Sequence, residues 1–288
     1  MKVSGFTFIR NAIELGYPVR ESILSILPIC DEFIVNVGDS EDDTLELITS
    51  IGDPKIKIIQ SKWNEKMVTK GFVYAQQKMI AHYNCTGDWA FYLEGDEVVH
   101  EEDLPLTMDA MKRYENDRRV EALVFDYIHF YCNQHTVLEG PGWLRRAPRI
   151  IRNTIRVYSP DGLYFLVLRK GNRKGQYPKA ALTGARIFHY GWMRPEDKYK
   201  AKLGKVSKYW DKGSQEGFRY GRIDPSVVKP YNGSHPAVMK GWLPDPPPPL
   251  ILDSSYRLTE KDIRQRLKAA IEKILPIDLS RRHFRLVR

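Results

Sequence analysis

At 288 residues, 42% hydrophobic and 28% charged, the chain has the balance of an ordinary globular protein and the length to bury a proper core. Three widely spaced cysteines, Cys30, Cys85 and Cys132, make neither a disulfide framework nor a zinc site, and no run approaches the ~18 apolar residues of a membrane span. The net charge of +9 hides an asymmetry: residues 1–140 carry 13 Lys or Arg against 24 Asp or Glu, and residues 141–210 carry 17 against 3. Such a basic face suits nucleic acid, anionic headgroups or a phosphorylated small molecule, unless one half neutralises the other across the fold. No nucleic-acid module is recognisable, so nucleic acid is set aside. Residues 1–9 lack the apolar core of a signal peptide, which with the unpaired cysteines points to the cytoplasm, contact with the inner membrane surface being left open.

In chain order, residues 2–9 predict a first strand through Val3, Phe6, Phe8 and Ile9, closed by Arg10 and Asn11. Pro18 suits the first turn of a helix that buries Val19, Ile23 and Ile26, and residues 32–37 form a second apolar strand. Strand, helix, strand in forty residues is a parallel crossover, the mark of an α/β sheet. Next comes Gly38-Asp39-Ser40-Glu41-Asp42-Asp43-Thr44, a sharp turn whose short polar side chains can meet a ligand or simply cap a helix. Asp39 repels phosphate and is assigned to a base or ribose hydroxyl. A third strand spans 55–60, and a helix lies within 63–83. Lys70-Gly71 near that helix's start would present a cation and open backbone to a phosphate.

The acidic stretch from Asp88 to Glu97 follows. Ala90 to Leu93 read as a buried parallel strand ending in Glu94, Asp96 and Glu97, at the sheet end where ligands sit. Period two sets Glu94 and Asp96 on one side of the backbone, and crowded carboxylates call for a cation. Oxygen donors suit Mg2+ or Mn2+, with a phosphate completing the shell; the competing reading is a solvated loop start. A helix over 106–114 and a strand over 122–130 come next, then loop-like text from 132 to 142. Arg145, Arg146, Arg149, Arg152 and Arg156 follow, and alternation over 151–158 predicts a strand with arginines on its exposed side. Arg145, Arg149 and Arg152 are the candidates to face a phosphate. A strand over 185–190 ends in His189-Tyr190-Gly191-Trp192. Residues 196–212 predict a lysine-rich helix, 213–249 are rich in Gly and Pro, and 259–274 an amphipathic helix with Ile263, Leu267, Ala270 and Ile271 on one face. Residues 196–288 are read as an appendage that covers the site or makes a subunit contact.

Phe8-Ile9-Arg10-Asn11, the Gly38 to Thr44 turn, Trp89 to Glu97 and His189 to Trp192 together resemble the family 2-like glycosyltransferases of the nucleotide-diphospho-sugar transferase, or GT-A, fold, over roughly residues 1–195. That resemblance implies an α/β fold with a mostly parallel central sheet flanked by helices. It implies Asp39 on the nucleotide base, Arg10 at the donor, and an Asp-x-Asp-type metal motif at Glu94-Gly95-Asp96 with His189 joining the shell and Glu97 adjacent. Asp96 is the firmer ligand, since glutamate stands at the first position.

The expected reaction is sugar transfer from a UDP- or GDP-linked donor to a glycan or small-molecule acceptor, with Mn2+ or Mg2+ neutralising the departing diphosphate. Homo-oligomer formation stays open. Inversion requires a base at the acceptor hydroxyl. Glu139 is the choice, because Asp126 lies inside a strand and Asp161 in a turn. Two alternatives are a nucleotidyltransferase of the same fold and a non-catalytic nucleotide-sugar or protein-binding domain. The former usually carries a Gly-rich basic loop after its first strand, and residues 10–16 hold one glycine and one basic residue.

Overall fold

The structure, a computed structural model, describes residues 1–210 and 218–287. The first half is strand β1 (Val3–Ile9), helix α1 (Val19–Ile26), β2 (Glu32–Gly38), α2 (Thr44–Thr49), β3 (Ile56–Ser61), α3 (Phe72–Tyr83) and β4 (Trp89–Tyr92). These four strands pair in parallel in the order β3-β2-β1-β4. The runs Phe33–Val35 of β2 and Trp89–Tyr92 of β4 are continuously apolar because both faces are covered. On β2, Phe33, Val35 and Val37 enter a core with α1 and α2, while Ile34 enters another with Ala81 of α3. On β4, Trp89 and Phe91 point to the first core, joined by Leu93 just beyond the strand, and Ala90 and Tyr92 to the second. A strand buried on both faces carries no regular polar alternation.

After β5 (Glu97–Val99) and α4 (Leu104–Arg113), the long β6 (Ala122–Tyr131) is joined by β7 (Asn133–Leu138) and β8 (Arg146–Arg152). β8 runs antiparallel between β4 and β6. The text from 132 to 142 is therefore no loop throughout: Cys132, at φ 64, turns the chain back and β7 pairs with β6. The strand expected over 151–158 is split between β8 and the short β9 (Val157–Tyr158), which forms a small sheet with β10 (Leu166–Arg169) and β11 (Asn172–Gln176). Arg149 and Arg152 are only 2% and 3% exposed, not on a solvated face, because β8 is interior to the sheet.

β12 (Lys179–Trp192) runs parallel to β6 and carries β5 on its other edge. The remainder comprises α5 (Glu196–Ser207) with a 3-10 turn at Lys208–Trp210, β13 (Val228–Pro230), α6 (Glu260–Ile274) and β14 (Arg285–Leu286). Residues 211 and 212 of the expected lysine-rich helix, and 213–217 of the stretch after it, lie outside the described residues. α5 buries Tyr199. β13 pairs with β7 and β14 with β12, so the chain beyond 195 returns to the main sheet at two places. The proline-rich segment is held by side chains of β7: Asn133 Nδ2 donates to Pro248 O (2.8 Å) and Gln134 Nε2 to Pro244 O (2.9 Å).

Candidate active site

The carboxyl ends of β1, β2 and β4 open on one edge, and the acidic turn leaves β4 there. β4 stops at Tyr92, and the Glu97 N–H donates to Glu94 O (3.0 Å), so Glu94 to Glu97 form a tight turn and not a continued strand. Glu94 and Asp96 consequently diverge. Arg149 Nε and Nη2 donate to the two oxygens of Glu97 (2.7 and 2.6 Å), and Nη2 also donates to Glu94 (2.8 Å). Glu97 accepts further from Tyr127 OH (2.7 Å) and the Glu94 N–H (3.1 Å). The guanidinium lies over the Tyr92 and Tyr127 rings. Burial and the Glu97 charge push the Glu94 carboxyl up to about 7 despite Arg149. Glu94 and Glu97 are thus consumed by an internal ion cluster and do not join Asp96.

Asp96 is 3% exposed and stands among cations from the other end of the domain. Its Oδ2 accepts from Lys202 Nζ (3.0 Å) and Arg194 Nη2 (3.2 Å), and its Oδ1 faces His189 Nε2 at 3.8 Å. Burial alone would raise this carboxyl, but Lys202, His189 and Arg194 hold it well below the usual range. Arg194 also donates to Leu15 O (2.5 Å), and its buried Nε has no partner among the described residues.

The protons on the histidines follow from their partners. His129 Nε2 lies 2.7 Å from Leu144 O, which only accepts, so that nitrogen carries a hydrogen. Burial, with His189 beside it, lowers His129 to about 3 and keeps it neutral, so its Nδ1 accepts from His189 Nδ1 at 3.0 Å. His189, lowered by burial although Asp96 opposes this, then has its Nε2 lone pair free. A Cβ on Gly191 would lie 2.4 Å from His189 Nε2 and 3.0 Å from Asp96 Oδ2, so only glycine keeps this space open. His189 Nε2 and Asp96 Oδ1 are therefore two facing donors that suit one divalent cation. Among the described residues no three His, Cys, Asp or Glu side chains are gathered to hold a metal.

The rim is built from the β1 and β2 turns. Arg10 Nε donates to Asp39 O (3.0 Å), and its guanidinium lies 5.7 Å from the Trp63 ring centroid. Trp63 N donates to Asp39 Oδ1 (3.4 Å), and Asp39 is exposed. Asn11, at φ 54, takes the left-handed turn that glycine or asparagine tolerates, and accepts from Glu41 N–H (2.9 Å). α5 and the turn after it lie across this edge: Lys198 donates to Ile13 O (3.3 Å), Lys205 to Glu14 (2.5 Å), and Lys208 and Tyr209 to Glu65 (both 2.6 Å). Arg10 pairs with the same Glu65.

Other expected donor residues are placed elsewhere. The Gly71 N–H donates to Tyr209 O (2.6 Å) under the Trp210 ring, so the start of α3 is not open to phosphate, and Lys70 is exposed beside it. Arg145 forks onto Glu272 (2.9 and 2.7 Å) and reaches Asp278. Arg152 donates to carbonyls of Tyr114, Glu115, Asp117 and Val120, at the opposite end of β4. Glu139 is exposed after β7; its N–H donates to Val227 O (2.8 Å), and its carboxylate has no hydrogen-bond partner among the described residues. Sequence reasoning missed Arg194, Lys202 and His129. Only the proximity of Arg194 to the His189 motif could have signalled one of them.

No protein-family model and no curated protein matches the chain. Among solved structures, S. aureus TarS 1-349 is 13% identical over 76% of this chain and 74% of that one, at a TM-score of 0.39. TarS 1-349 in complex with UDP-GlcNAc is 17% identical over 57% and 52%, again at 0.39. The mannosyltransferase PcManGT from Pyrobaculum calidifontis, in complex with GDP-Man and Mn2+, is 16% identical over 45% and 36%, at 0.34. The match thus spans about half of the second chain and about a third of the third. Likenesses this distant transfer neither fold nor function; both rest on the geometry of the chain itself.

Proposed function

We propose that the protein transfers a sugar from a nucleoside-diphosphate donor to an acceptor hydroxyl. The observation that carries this reading is convergence: the turns after β1 and β2, the end of β4 and the end of β12, which hold the four motifs of the resemblance, meet at one sheet edge. In open α/β sheets that edge is where ligands bind. Asp39, Arg10 and the Trp63 ring would receive the base and ribose. Arg194 and Lys202 would oppose the diphosphate, where negative charge grows as the sugar leaves. Asp96 and His189 would hold Mn2+ or Mg2+, which supplies further positive charge to the leaving group. His129 acts one step behind, fixing the His189 tautomer so that Nε2 stays unprotonated. Among the described residues no contact ties the exposed Glu139 to Asp96 or His189, and its role as acceptor base rests on the sequence reading; a Glu139→Gln variant with unchanged turnover removes it from that role.

A nucleotidyltransferase is disfavoured by the loop after β1. It presents the carbonyls of Ile13 and Leu15 to Lys198 and Arg194, not a nest of amides for a triphosphate. Calorimetric titration of UDP and GDP, with and without Mn2+, tests the proposal. Binding of one of them that strengthens with metal and disappears in Asp96→Asn is expected; no binding of either under any condition overturns it.

A further inference from the structure

Outside the site, the feature with no role so far is the outward face of α6. The helix is well started, by a capping box in which Asp262 N–H donates to Thr259 Oγ1 (3.2 Å) and Thr259 N–H to Asp262 (2.8 Å). It is tied to the body by polar groups: Glu272 to Arg145, Arg266 to Asp224 (2.8 and 2.7 Å), and Gln265 against Gly142. Its apolar residues point the other way. Ile263, Leu267 and Ile274 are 57%, 62% and 81% exposed, and with Ala270 they form one stripe at i, i+4, i+7 and i+11. Leu275 and Ile277, also exposed, prolong it.

Lysines flank the stripe, with a Glu260–Arg264 pair on one border. At 3.6 residues per turn Lys268 lies toward one side and Lys273 along the other, with the exposed Arg281 following the helix, while Arg264 is paired with Glu260 and Arg282 with Asp278. We propose that α6 lies flat on an anionic lipid surface, its stripe among the acyl chains and its flanking lysines at the headgroups. A second copy of the chain fits less well, since stripe-to-stripe packing would oppose the flanking lysines. No helix of the described residues is long and apolar enough to cross a membrane. The inference is independent of sugar transfer.

The test is co-sedimentation of the full chain with phosphatidylcholine vesicles, with and without phosphatidylglycerol. Binding to the anionic vesicles alone, weakened by salt, is expected. The double variant Leu267→Glu, Ile274→Glu should lower the partition about tenfold or more with Tm unchanged, because both side chains are already in water. Equal binding to neutral vesicles, binding to neither, binding undiminished in the double variant, or a dimer in sedimentation velocity that the variant dissociates would each overturn it.

Discussion

Arg149 shows how a residue drawn toward phosphate by its chemistry can be claimed by the fold. Its guanidinium is buried against Glu97, also buried, with bidentate geometry and aromatic rings on both sides. Removing one partner of such a pair strands a charge. Arg149→Met should therefore cost about 3–5 kcal/mol of stability, measured by denaturant unfolding; a loss below ~1 kcal/mol would place the cluster in the functional site instead. Glu32 offers a pH test. Burial would raise its carboxyl, but Lys57, Ser4 and Thr86 bond it and hold it at about 2 against an ordinary 4.5. A folded-state pKa below the unfolded one means the stabilisation is present above about 4.5 and lost as pH falls toward 2. Relative to Glu32→Gln, the wild type should lose on the order of 3 kcal/mol across that window; parallel curves would contradict the assignment. The carboxylates were legible in sequence as a cluster with unmet charge. Which cations meet them was not, because Arg149, Arg194 and Lys202 come from 52 to 106 positions away.

At the scale of elements, the parallel strands were legible because strands covered on both faces are largely apolar, as Phe33–Val35 of β2 and all of β4 are, the buried Glu32 and Asn36 of β2 making hydrogen bonds. β7 was not: Asn133-Gln134-His135-Thr136 carries no strand signature, and its pairing comes from β6 and β13. The turn at Cys132 gave no glycine to mark it. α5 was legible as a helix, and its place across the strand ends only as one of two alternatives, a cover for the site or a subunit contact. Its outer ties and that of the turn after it, Lys205 to Glu14 and Glu41 and Lys208 to Glu65, are exposed ion pairs of the kind that contribute at most ~1 kcal/mol each. α5 should therefore open before α3, which is packed on β1 and β2. Hydrogen exchange should find α5 amides faster than those of α3, and faster still in high salt. Equal protection of the two helices would show that α5 is part of the rigid core.

Over the whole molecule, the opposed charges of the two halves have a physical use. The acidic rim of the first half, Glu14, Glu41, Glu65 and Asp96, is met by lysines of α5 and the turn after it. Most of the arginine-rich stretch is spent on internal pairs, while among the described residues Arg10, Arg194 and Lys202 bring positive charge to the strand ends. That arrangement, Arg194 and Lys202 beside Asp96 with His189 Nε2 facing Asp96 Oδ1, is what the proposed sugar transfer rests on. The most direct test is to incubate the protein with UDP- and GDP-linked sugars, acceptor glycans and Mn2+, and to identify the released nucleotide by chromatography. The account predicts nucleoside diphosphate from at least one donor, abolished by Asp96→Asn. Release of pyrophosphate, or release that Asp96→Asn leaves intact, would contradict it.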